Sequence, residues 1–114
     1  MSQANIDIVQ AQLDAYNATD LERFCTYYAE DCVTANLNSG VLQNGRAAIR
    51  AGYEKIWAQF PENKAKLVNR IAVGNTVIDH EDVERAPGGD RFQVIAIYTL
   101  RDGLIARVDF AREV

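Results

Sequence analysis

Histidine occurs once in the 114 residues, tryptophan once, and cysteine and proline twice each. A single histidine excludes a multi-histidine metal site, and Cys25 and Cys32 lack both the CxxC spacing and a neighbouring zinc-type histidine. The two thiols are therefore expected to be free and buried, in a chain kept in a reducing cytoplasm. Twelve basic residues face sixteen acidic ones, a net charge of -4, and the basic ones are scattered. That pattern excludes the electrostatic footprint of a nucleic-acid or anionic-membrane partner. No apolar run approaches membrane-spanning length. Residues 1–7 carry neither the basic nor the apolar region of an export signal, so none is expected there.

Hydrophobic residues make up 48% of the chain and charged ones 25%, enough to close one core and too few residues for a second domain. Residues 1–114 are expected to form a single domain. Ile6, Val9, Leu13 and Tyr16 recur at helical spacing. Thr19 and Glu22 stand at the N-cap and N3 spacing of a capping box that opens a second helix with Leu21, Phe24, Cys25 and Tyr28 on one face. Residues 33–37 read as a short strand and Val41-Leu42 as a second apolar piece. Ile49, Tyr53, Ile56 and Phe60 mark a third helix, which Pro61 stops.

From Lys64 the period changes to two. Strands are predicted over 64–73, 76–85, 91–100 and 104–112, with turns at Gly74-Asn75 and Asp102-Gly103 and a loop over 86–90. Three helices followed by an antiparallel meander imply an α+β fold with the helices on one face of the sheet. Along 92–100, Phe92, Val94, Ala96 and Tyr98 share one face, and Ile95 and Ile97 share the other. Both faces need cover, and the helices supply only one. The Ile95/Ile97 face is therefore expected to meet a second copy in a two-fold homodimer. The competing reading is a curled sheet that buries that face itself.

Three stretches resemble the NTF2-like superfamily, with bacterial ketosteroid isomerase and the SnoaL-like cone proteins among its members. They are Tyr16-Asn-Ala-Thr-Asp-Leu-Glu22 leading to Tyr28-Ala-Glu-Asp-Cys32, Gly45-Arg-Ala-Ala-Ile-Arg-Ala-Gly-Tyr53, and the final hairpin through Asp102-Gly103. The resemblance implies a cystatin-like cone, three N-terminal helices packed on a curved antiparallel sheet around a pocket. One such fold hosts many activities. Carried over by position, the isomerase's general-base Asp falls on Asn36, its oxyanion-hole Tyr on Gln12 and its protonated Asp near Ala96. An amide cannot shuttle a proton at neutral pH and Ala96 has no donor, so that enzyme's enolate mechanism is not implied. Tyr53 matches a pocket tyrosine. In the limonene-epoxide-hydrolase pattern the corresponding positions are Asp82, Glu84 and Phe110, without the Arg and one Asp.

On the strand Ile78-Asp-His-Glu-Asp-Val-Glu84, His80, Asp82 and Glu84 project to one face and Asp79 and Glu81 to the other. The resemblance places His80, Asp82 and Glu84 inside, which makes His80 the candidate acid/base and Asp82 its orienter. The other reading leaves this strand near an edge, its acids solvated and His80 bonded only to Asp82. Gln12, Tyr16, Asn36, Tyr53, Trp57, Glu84 and Tyr98 are the candidate binding residues. Each aromatic among them has a plain-core alternative. No metal and no cofactor are expected. The functional expectation is a small-molecule-binding protein, an isomerase, dehydratase or hydrolase using His80 in a partly apolar pocket. The alternative is a non-catalytic metabolite-binding or dimerisation module.

Overall fold

The computed structural model describes residues 2–112. Helix α1 (Ser2–Asn17) and the short α2 (Leu21–Cys25) lead into strands β1 (Tyr28–Asn36) and β2 (Val41–Asn44). Helix α3 (Arg46–Gln59) follows, and then strands β3 (Lys64–Val73), β4 (Thr76–Glu84), β5 (Arg91–Arg101) and β6 (Leu104–Arg112). The six strands form one sheet in the order β2-β1-β6-β5-β4-β3. The β3–β6 meander is antiparallel throughout, and β1 joins it parallel to β6. All three helices lie on one face, as the segregation of helices and strands predicts. None of the described helices is long and apolar enough to cross a membrane.

The apolar stripe of α1 puts Val9 and Leu13 into the core and carries the polar Gln12 inside with them. Asn17 then pins the helix end to β3: its Nδ2 donates to the Ala65 carbonyl at 2.9 Å, and its Oδ1 accepts from the Ala65 amide at 2.8 Å. The cap of α2 differs from the capping-box expectation. Asp20 occupies the N-cap and accepts from the Arg23 amide at 3.1 Å, while Thr19 sits outside with φ +51°. The helix also stops sooner than its spacing predicts. Tyr28 belongs to β1, because the Tyr27 carbonyl accepts from the Ile105 amide at 2.9 Å and draws the chain into the sheet.

Gly45, φ +98°, turns the chain from β2 into α3. Asp102 and Gly103, at φ +53° and +77°, form the tight β5–β6 hairpin that their sequence predicts. A bulge in β3 between Leu67 and Asn69 shifts the register by one residue. Beyond it Asn69, Ile71 and Val73 are exposed, while Arg70 turns to Asp79 on β4.

Strand β4 corrects the sequence reading. Val77, Asp79, Glu81 and Val83 are the buried set, so Ile78, His80, Asp82 and Glu84 lie on the outer face. The phase is fixed by pairing with β5: Val77, Asp79, Glu81 and Val83 stand opposite Tyr98, Ala96, Val94 and Phe92, and direct cross-strand partners share a face. A one-residue change of phase exchanges every side chain between faces.

Candidate functional site

A cavity of about 470 Å³ opens between the helices and the sheet, a size typical of small-molecule sites. Its buried end is formed by Gln12 of α1, Tyr28 of β1, Glu81 of β4 and Tyr98 of β5, with Tyr53 of α3 beside them. Asn36, Leu42 and Arg112 are exposed at its open end. Leu13, Ile56, Phe92, Val94 and Phe110 supply the apolar walls.

The buried polar groups are ordered by one another. The Tyr28 hydroxyl donates to Gln12 Oε1 at 2.7 Å, and Gln12 Nε2 donates to the Val9 carbonyl at 3.1 Å and to the Tyr98 hydroxyl at 3.5 Å. Tyr98 thus accepts from Gln12 and keeps its own proton to donate. Burial raises the pKa of Tyr28, Tyr53 and Tyr98, so all three remain neutral hydroxyls at physiological pH. At the other wall Tyr16 accepts from Asn63 Nδ2 at 2.6 Å.

Glu81 is the distinctive group. It is 7% exposed and its Oε2 atom, buried, has no hydrogen-bond partner among the described residues. Desolvation, reinforced by the charge of Asp79 and opposed by Arg70, pushes its pKa up to about 7. Asp79 is fully buried and is held by a two-pronged ion pair, Arg70 Nε to Oδ1 at 2.6 Å and Nη2 to Oδ2 at 2.8 Å. Arg70 Nη1 also donates to Gln10 Oε1 at 2.8 Å. Arg70 is therefore committed to Asp79. Glu81 faces the cavity as a carboxyl that exchanges its proton near neutral pH, the property general acid–base work requires.

The candidate residues divide accordingly. Gln12, Tyr16, Asn36, Tyr53 and Tyr98 line the cavity. Trp57 packs behind the lining, with ring centroids 5.3 Å from Phe24, 5.6 Å from Tyr16 and 5.7 Å from Tyr53, and its buried Nε1 has no partner among the described residues. His80, Asp82 and Glu84 are absent from the lining. His80 bonds Gln93 on the outer face, and Arg91 pairs with Asp82 at 2.5 Å and Glu84 at 3.5 Å. His80 thus has neither the cavity nor Asp82 that the acid/base assignment required. The sequence reading missed Glu81, Arg85 and Phe92 as site residues. The usable signal was the shared face of Phe92, Val94 and Tyr98, whose β4 partners must face inward too.

Several comparisons bear on this arrangement. A family model described as a SnoaL-like domain matches residues 9–108. The chain is similar to an uncharacterized cystatin-fold protein from Novosphingobium aromaticivorans, with 30% identity, a TM-score of 0.89, and coverage of 98% of this chain and 99% of that one. It also resembles a candidate polyketide cyclase from Sinorhizobium meliloti, with 22% identity, TM-score 0.80, and coverage of 92% and 94%. A SnoaL-like protein of unknown function from Burkholderia thailandensis shares the fold at 15% identity, TM-score 0.84, over 100% and 98% of the two chains. No curated protein matches by sequence.

Proposed function

The chain belongs to the SnoaL-like domain family, and from that premise we propose that it is a proton-transfer enzyme of the isomerase or lyase type. Its substrate is a small, partly apolar molecule bearing a carbonyl or hydroxyl group, and Glu81 is the acid/base. The observation that carries this reading is the Glu81 carboxyl at the buried end of the cavity, whose Oε2 has no hydrogen-bond partner among the described residues and whose pKa is pushed up to about 7. An ionised Glu81 takes a proton from carbon beside a carbonyl and returns it at a neighbouring position. Tyr98, with its hydroxyl proton uncommitted, and Tyr53 are neutral donors suited to the developing oxyanion. Apolar walls exclude water and strengthen both interactions. The isomerase-like resemblance thus extends to a type of chemistry, performed by a carboxyl on a different strand.

The reading is tested by the conversion of cyclohex-3-en-1-one to its conjugated isomer, followed by ultraviolet absorbance. The expected result is turnover by the wild type and a loss of about 100-fold or more in Glu81→Gln, with the variant's fold intact by circular dichroism. Equal rates in both proteins would reduce the cavity to a binding site without catalysis.

A homodimer through the outer sheet face belongs to the same proposal. Ile71, Ile78 and Ile97 form one cross-strand row on that face, Ile71 is 58% and Ile95 40% exposed, and such a self-complementary apolar stripe suits a two-fold contact. Ile71→Lys is expected to convert the dimer to a monomer in sedimentation velocity. A wild type that sediments as a monomer at micromolar concentration would remove this part. The buried free thiols, Cys25 and Cys32, support a reducing, cytoplasmic setting.

A further inference from the structure

We propose that the ligand carries a carboxylate, received at the open end of the cavity by Arg85 and Arg112; the proposal rests on the reading of that cavity as a ligand site. Both arginines line it. Arg85 follows β4 and continues its inward-facing alternation, and Arg112 stands opposite Val94 on β6. Their guanidinium carbons lie 4.7 Å and 4.1 Å from the centroid of the Phe92 ring. Sharing one ring, the two cations are within about 9 Å of each other. Among the described residues neither forms an ion pair, although the chain carries a net charge of -4. No carboxylate of the described residues therefore neutralises either guanidinium.

Arg85 is also built into place. Its Nη1 donates to Asn63 Oδ1 at 2.9 Å, and Asn63, fully buried, donates in turn to Tyr16. A side chain fixed in this way loses little entropy on meeting a ligand. Guanidinium forks match carboxylates closely, and the apolar lining of Leu13, Ile56, Val94 and Phe110 receives the body of the ligand. The sheet register supplies the distance. Glu81, Val94 and Arg112 occupy one rung of adjacent strands, so the Glu81 and Arg112 backbones are about 10 Å apart. The Arg112 guanidinium leans further from Glu81, toward Phe92, so the anchor stands apart from the acid/base and suits an acid with an apolar body between its carboxylate and its reacting end.

Titration calorimetry at pH 6 with 2-naphthoate and its neutral counterpart 2-naphthamide tests the assignment. The acid is expected to bind about tenfold or more tightly than the amide, with an advantage that shrinks as salt is raised. Arg112→Met and Arg85→Met should each remove that advantage and leave amide binding nearly unchanged. The Arg112 side chain makes no hydrogen bond among the described residues, so its variant keeps the test sound if freeing the buried Asn63 unfolds Arg85→Met. Equal affinities for acid and amide, or a preference that survives both substitutions, would overturn the carboxylate assignment while leaving the proton-transfer reading intact. An arginine-dependent preference would uphold it even if Glu81→Gln left the isomerisation rate unchanged. Failure of both probes to bind would overturn it together with the ligand site.

Discussion

Glu81 makes a quantitative demand on stability. Protonated, its carboxyl suits the apolar cavity; ionised, it is poorly solvated and stands beside the negative Asp79. The folded chain therefore holds this proton up to about pH 7, whereas the ordinary value is 4.5. Because the folded pKa is the higher one, the stabilising contribution is fully present below about pH 4.5. It is lost as pH rises and is gone above about pH 7. At about 1.4 kcal/mol per pKa unit the whole loss is roughly 3 kcal/mol. Between pH 5 and pH 8 it is roughly 2 to 3 kcal/mol. Glu81→Gln removes the titration, and any cost of its buried amide is the same at every pH. Urea unfolding of both proteins from pH 5 to pH 8 isolates the effect, since every other group cancels in the difference. The variant should gain roughly 2 to 3 kcal/mol on the wild type over that range. A flat difference, within about 0.5 kcal/mol, would refute a desolvated carboxyl in the cavity.

Three further outcomes follow from neighbouring groups. Arg70→Met leaves the fully buried Asp79 unpaired and should cost about 3 to 5 kcal/mol in urea unfolding. Arg70 also holds the Glu81 pKa down, so the pH-dependent step should move to more alkaline values in the same experiment. His80→Ala should change the isomerisation rate by less than about twofold, because the ring lies on the outer face against Gln93; a large loss would restore the histidine as acid/base. Burial raises the Cys25 pKa and pushes Cys32 to about 12, so both thiols should react with Ellman's reagent only on unfolding. Prompt labelling of the native protein would contradict their placement in the core.

The fold was legible because its signals are local. Helical spacing found α1 and α3, alternation found β3 to β6, and Asp102-Gly103 found the last hairpin. Tyr28 escaped because its place in the sheet is set by Ile105, far away in sequence. The site was less legible for a related reason. Alternation along β4 separates His80, Asp82 and Glu84 from Asp79 and Glu81, but cannot say which set faces inward. The β4–β5 register decides, by setting Glu81 opposite Val94 and His80 opposite Ile95. Val77 and Val83 on the same face as Glu81 were the residue-level hint. The bulge at Val68 had no signature, and without its shift Arg70 would not meet Asp79. The aromatic and amide residues were easier to place, because α1, α3 and the inner face of β5 orient them toward one cavity.

Proton transfer by a cavity carboxylate at position 81 is tested most directly by the opening of 5-nitrobenzisoxazole, which needs only one base in an apolar site. The rate should rise with pH through a midpoint near 7, set by Glu81, and Glu81→Gln should fall to the buffer background rate. A pH profile shared by both proteins would contradict the account.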